Sequence, residues 1–232
     1  MLSHIKKPVE TSFQRLEIHR RWYELVGLYS ARELTEQKDK MMAILGLGDA
    51  IEMNTGLRFV AGLWEEAMTF NLLWIPLGEP GHRPVRDIPT WSWASVDRII
   101  DEITSSASIK NSETIIDHLD IKHINPTIKH NPLTHHASLV FLGHLTLLDE
   151  SSENSHPDII ILDDDLAREI AFLSILSFTN NLGEIEVRGI AVRGKSAGSN
   201  IYERVGYFWT KDSFATKEIL DIVDQRREFV LV

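Results

Sequence analysis

Apolar residues recur at steps of three and four between residues 11 and 30, where Phe13, Leu16, Trp22, Leu25, Val26 and Tyr29 fall on one stripe. That period predicts an amphipathic helix. "LTEQKDKMMAILGLGDAIEMNTG" (34–56) continues the helical pattern, with Thr35 placed to cap its start and Gly56 to end it in a left-handed conformation. A third helix is expected over "AGLWEEAMTFNLLW" (61–74), where Leu63, Ala67, Phe70 and Trp74 share a face that Trp64, Met68 and Leu72 widen. Pro76, Gly78, Pro80, Gly81, Pro84 and Pro89 then mark a loop over 75–89. "TWSWASV" (90–96) alternates and predicts a strand with Trp91, Trp93 and Ser95 on one face.

Beyond that point the period changes to two. "EITSSASIKNSET" (102–114) is polar and reads as a loop or linker. Strands are expected at "DIKHI", "ASLVFLGHLTLL", "DIIIL", "REIAFLSILSF", "IEVRGIAV", "YERVGYFW" and "REFVLV". Turn clusters "DESSENSHP", "TNNLGE" and "RGKSAGSN" separate them, and "SFATKEILDIVDQ" interrupts the series as a short helix. The pattern predicts an α+β fold. A helical segment over 1–100 ends in the Trp-rich WSWAS seam, a polar loop covers 101–118, and an antiparallel β-sandwich or barrel-like domain covers 119–232, with a short helix near 214–224. No internal repeat is visible.

Composition narrows the chemistry. The 232 residues suffice for a real core, and the absence of cysteine removes disulfides and every thiol-based site. The net charge is −10: residues 1–100 hold 12 basic and 13 acidic side chains, a net of −1, and residues 101–232 hold 12 and 21, a net of −9. A nucleic-acid surface needs the opposite field, so no nucleic-acid partner is expected. "MLSHIKKPVE" has no apolar run of the secretory kind, and the longest apolar run, "IAFLSILSF", is too short to span a bilayer. A soluble, cytoplasmic protein with no membrane partner is expected.

Four of the six tryptophans, Trp64, Trp74, Trp91 and Trp93, fall within thirty residues. They could stack a sugar or base, or they could pack on one another; the packed core is the preferred reading. Six histidines lie at 118, 123, 130, 135, 136 and 144, in spacings that match no metal signature, and read as exposed loop residues. "LDDDL", with Asp163 to Asp165, lacks the glycine of a calcium loop and reads as a solvated turn. Nucleophile elbows, P-loops and dinucleotide fingerprints are absent, so no catalytic residue, cofactor-binding residue or metal ligand is assigned, and no enzyme activity is expected.

Four stretches nevertheless form an ordered set. Trp22, Tyr29, Ser30, Arg32, Leu34 and Thr35 come first, then Asp39, Lys40, Ala43 and Gly46. "AGLW" (61–64) with "LLW" (72–74) follows, and then Pro89 with "WSWASVD" (91–97). In this order they resemble the region that follows the catalytic-type domain in fungal heterokaryon-incompatibility (HET) domain proteins. The structural motif so defined is Trp64, Trp74, Pro89, Trp91, Ser92, Trp93, Ala94, Ser95 and Asp97. The resemblance begins near Phe13 and does not include the TIR-like HET domain that gives the family its cell-death activity. It implies an accessory, non-catalytic region in non-self recognition and programmed cell death, acting by protein–protein recognition or autoinhibition. The implied partner is a full-length HET-domain protein. Two alternatives stand beside it: a glycan or small-ligand module using the tryptophans, and an enzyme whose site is not recognisable in the sequence.

Overall fold

The computed structural model describes residues 11–32, 39–79, 88–101, 115–125, 138–143, 145–147, 159–163, 170–179, 182–211 and 226–232. The expected linker at 102–114, the helix near 214–224, Thr35 and the histidines at 130, 135, 136 and 144 lie outside these residues.

Helix α1 (Ser12–Ser30) opens with a capping box, in which the Gln14 N–H donates to Thr11 Oγ1 at 3.1 Å and the Thr11 N–H donates to Gln14 Oε1 at 3.2 Å. Leu16, Trp22 and Val26 turn inward as the stripe predicts, Tyr23 is buried with them, and Phe13 is exposed, one turn ahead of the packed region. The outer face is held by ion pairs of Glu17 with Arg20 and Arg21 and of Arg20 with Glu24. Helix α2 (Asp39–Thr55) buries Met41 and Ile44, and Gly56 follows at φ +74°, its N–H donating to Glu52 O at 2.7 Å, as the expected left-handed stop.

The third helix does not form as expected. Residues 59–64 fold instead as a hairpin of β1 (Phe59–Val60) and β2 (Leu63–Trp64), turned through Ala61 (φ +46°) and Gly62 (φ +89°). Two successive positive φ values are the mark of the type I′ turn, whose twist matches paired strands. A 3₁₀ turn (Glu65–Ala67) and the four-residue α3 (Met68–Asn71) complete the stretch. Its apolar residues face every direction, and Leu63, Ala67, Phe70, Leu72, Leu73 and Trp74 are all wholly buried. With only Glu65 and Glu66 partly exposed, the segment has no continuous polar face to turn to water, so it crosses the core. Strand β3 (Ile75–Pro76) then pairs with β4 (Ile100–Asp101).

The remaining strands are β5 (Ile115–Asp117), β6 (Asp120–Asn125), β7 (Ser138–Gly143), β8 (Leu145–Leu147), β9 (Ile159–Leu162), β10 (Ala171–Thr179), β11 (Ile185–Gly194), β12 (Ile201–Lys211) and β13 (Arg227–Leu231). They make one nine-stranded sheet with the path β5-β10-β11-β12-β13-β7-β6, with β8 added to β10 and β9 to β12. The fold is therefore α+β. Every pairing among the described strands is antiparallel except β12 with β13, which is parallel, so the sheet is mixed rather than purely antiparallel. The path does not close through hydrogen bonds. Its two ends, β5 and β6, are nonetheless joined by only His118 and Leu119, which limits the Asp117–Asp120 Cα separation to about 11 Å. Strands β7 and β8 switch neighbours across a single residue at the same corner, opposite the β10 bulge between Ser174 and Leu176. Strand-switching at bulges is how sheets turn corners.

Both faces of β10 are buried. One face joins the main core with the helices, and the other carries a smaller cluster of Phe172, Val187, Ala191, Val205 and Phe208.

Candidate functional site: the tryptophan seam

The segment "TWSWASV" is not a strand. Ser92 caps a 3₁₀ turn (Trp93–Ser95) by accepting from the Ala94 N–H at 3.2 Å, and the Ser95 Oγ–H donates to Thr90 O at 3.3 Å. Local side-chain bonds of serine compete with extended pairing and win here. Trp91 and Trp93 are buried all the same, each at 0% exposure. The Trp93 Nε1–H donates to Gly62 O at 2.8 Å, and the Trp22 Nε1–H donates to the same oxygen at 2.9 Å. The Trp74 Nε1–H donates to Trp91 O at 2.9 Å. The Trp91 Nε1–H is buried without an acceptor. Edge-to-face rings extend the seam: Trp22 on Trp64 at 5.3 Å and Tyr29 on Trp93 at 6.2 Å.

The seam plugs a gap in the sheet. Strand β12 pairs on its outer edge with β13 at Ile201 and Tyr202 and with β9 from Gly206 to Trp209, the Asp163 N–H donates to Val205 O at 2.8 Å, and among the described strands none pairs with 203–204 on that edge. Thr90 fills that place. The Arg204 N–H donates to Thr90 Oγ1 at 2.9 Å, and Thr90 donates its own N–H to Val232 O at 3.2 Å. The Arg204 side chain runs inward and is wholly buried. It forms a fork on Asp163, Nε to Oδ2 at 2.9 Å and Nη2 to Oδ1 at 3.3 Å. Its remaining donors reach Leu72 O at 2.5 Å and Trp74 O at 2.7 Å, and the guanidinium lies 3.3 Å above the Trp74 ring. A buried cation is tolerable only when its donors are met this completely. Arg98 makes a second bridge, with Nε on Leu77 O at 3.1 Å and Nη1 on Leu162 O of β9 at 2.9 Å.

The seam brings together Trp64, Trp74, Pro89, Trp91, Ser92, Trp93, Ala94 and Ser95, all buried, while Asp97 faces solvent outside it. Four residues of the site were not anticipated. Asp163 belongs to the run read as a solvated turn, yet it is wholly buried because Arg204 needs its carboxylate. Arg204 carried one signal, a cation at an inward position of an alternating strand. Gly62 and Thr90 carried none, since Gly62 acts through its carbonyl and the Thr90 hydroxyl meets backbone groups of Arg204 and Val232 far away in the chain.

His118 is likewise not an exposed loop residue. It is buried at the sheet corner, its N–H donates to Ile175 O at 2.8 Å, and its Nε2 lies 2.8 Å from Ser177 Oγ. A serine and a histidine at this distance have the elements of an activated nucleophile. Ser177, however, sits mid-strand in β10 at 2% exposure, where the hydrogen bond satisfies two buried polar groups and offers no approach to a substrate carbonyl. Among the described residues no group of three or more His, Asp or Glu side chains is placed to hold a metal ion, and no helix is long and apolar enough to cross a membrane. No protein-family model matches the chain, and no curated protein or solved structure matches it.

Proposed function

We propose that this chain is a non-catalytic recognition module of the HET-type incompatibility kind, working in the cytoplasm by contact with another protein. One observation carries the reading: the tryptophans of the family-like motif are buried, Trp74 and Trp93 donating to the chain's own backbone and Trp64 packing edge-to-face on Trp22. A stacking platform for glycan or base needs an open aromatic face, and Trp91 and Trp93 present none. The motif then serves to fix the helical part on the curled, barrel-like sheet, and the working surface is the exterior. That exterior belongs to a chain whose residues 101–232 carry −9, a field that favours a basic partner surface and speeds encounter with it. A chain that occupies a surface used by a full-length HET-domain protein would dampen the killing by that protein.

The test is co-expression in fungal cells with a full-length HET-domain protein, scoring cell death and co-purification. Co-purification with reduced killing is the expected outcome. A chain that neither co-purifies nor alters killing would remove this reading.

A further inference from the structure

His19, in the middle of α1, is wholly buried, and neither ring nitrogen has a hydrogen-bond partner. Its ring lies 4.6 Å from the Tyr23 ring and 6.0 Å from the Phe70 ring. Asn71, at the end of α3, also keeps a buried Oδ1 without a partner, although its Nδ2 donates to Ala67 O at 2.8 Å. An apolar ring would fill this place without adding two unmet ring nitrogens, so histidine brings a liability that packing alone does not require. We propose that His19 is an acid-sensitive latch, whose protonation releases α1 from α3 and from the tryptophan seam.

The surroundings offer an imidazolium little support. On its own helix, Arg15 stands one turn earlier as a cation near the Phe70 ring, and Glu17 is engaged on the outer face with Arg20 and Arg21. The Tyr23 hydroxyl donates to Asn71 O at 2.8 Å, and burial raises it well above its ordinary range, so it stays neutral. Among the elements packed on α1, the 3₁₀ turn brings Glu65, paired with Arg58, and Glu66, which accepts from the Arg58 N–H. Strand β4 brings Asp101, which is exposed, and β5 brings Asp117, whose carboxylate is paired with Arg15. Strand β12 adds a second cation, Arg204, whose field reaches Tyr23. None of these carboxylates bonds the imidazole. Burial pulls the ring's pKa down to about 3, and only the Asn71 side chain, near the ring but outside good bonding geometry, favours the charged form.

The direction of the effect follows from linkage. The neutral ring's contribution to the closed state is complete above the ordinary histidine value of about 6.5 and is lost as pH falls from there toward 3. Each pH unit in that window raises the opened population about tenfold, so pH 4.5 gives an increase on the order of 100-fold over neutral pH. The opened state uncovers the inward face of α1, with Trp22, Tyr23 and Val26. This device stands apart from the recognition role proposed above and holds whether or not that role does.

The experiment is hydrogen exchange of the full chain read by mass spectrometry between pH 7 and pH 4.5, corrected for intrinsic rates, in wild type, His19→Phe and His19→Leu. Wild-type α1 should lose protection on the order of 100-fold while β11 and β12 keep theirs, and the variants should hold α1 closed. The latch is overturned by wild-type protection that survives at pH 4.5, by variants that open in parallel with wild type, or by α1 and the sheet opening together. Should neither variant fold, ¹⁵N imidazole spectra of wild type decide. A His19 ring already charged in the closed protein at pH 6 refutes the latch, and a ring that charges only as α1 opens supports it.

Discussion

Gly62 O receives two indole N–H donors, from Trp22 and Trp93, whereas the Trp91 N–H has no acceptor. The two central tryptophans are therefore equally buried but unequally bonded, and substitutions separate packing from hydrogen bonding. Trp91→Ala and Trp93→Ala should each cost about 3–5 kcal/mol, the usual range for deleting a core aromatic. Phenylalanine keeps the ring and removes the donor. Trp93→Phe should then lose an extra ~1 kcal/mol that Trp91→Phe does not, because only Trp93 gives up a bond. Denaturant midpoints check this, and alanine variants with unchanged midpoints would contradict the buried seam. The residues that matter here were partly legible. Aromatic clustering pointed to the seam, but Gly62 acts through its carbonyl, and Thr90 through a hydroxyl bonded to distant backbone groups, neither of which a local side-chain pattern records.

The elements divide along a physical line. Helices α1 and α2 were readable because each has a wet side, which gives the 3.6-residue period something to alternate against. Residues 61–74 expose only Glu65 and Glu66, and those in part, so their spacing suited a helix without requiring one. The Ala61–Gly62 turn decides that local outcome, and it is testable. Gly62 has φ +89°, and an added Cβ would stand 3.0 Å from Trp93 Nε1 and 3.3 Å from Ser92 Oγ. Gly62→Ala should destabilise the protein by about 1–3 kcal/mol, through strain at a left-handed position and displacement of the seam. A thermal melt at the wild-type midpoint would show that the hairpin adapts freely. "WSWAS" misled for a related reason: alternation of bulky and small residues suits a strand, but Ser92 and Ser95 bond locally and wind the chain into a turn.

At the scale of the molecule, Arg204 joins the helical part to the sheet through Asp163, Leu72 O and Trp74 O. Removing one member of a buried ion pair leaves the other uncompensated, so Arg204→Leu should cost about 3–5 kcal/mol, and Asp163→Leu added to it should return part of that loss. In wild type, tryptophan fluorescence and far-ultraviolet circular dichroism should report one coincident transition, because the seam and the sheet share this contact. Arg204→Leu should separate them, and a wild type whose two transitions already differ would show independent halves. The uneven charge belongs to the same scale. If the −9 half steers a basic partner, raising salt from 0.05 to 0.5 M should slow association more than dissociation, as rate measurements on the purified pair would reveal. A salt-independent association rate would remove the electrostatic part of the proposal.

By itself the sequence determined the helices with a polar face, most of the strand segments, the turn over 193–200, the absence of thiol chemistry and the burial of the tryptophan cluster. These follow from period and composition, which act locally and survive without knowledge of neighbours. The tertiary structure alone decided that β5 and β6 stand at the two ends of the sheet path, that β12 pairs in parallel with β13, and that Asp163, His118 and His19 lie inside. Each of these depends on a partner far away in the chain: Arg204 for Asp163, Ser177 for His118, Phe70 and Asn71 for His19. A polar residue is read as exposed unless its partner is known, and the partner is named only when distant segments are brought to within hydrogen-bonding distance.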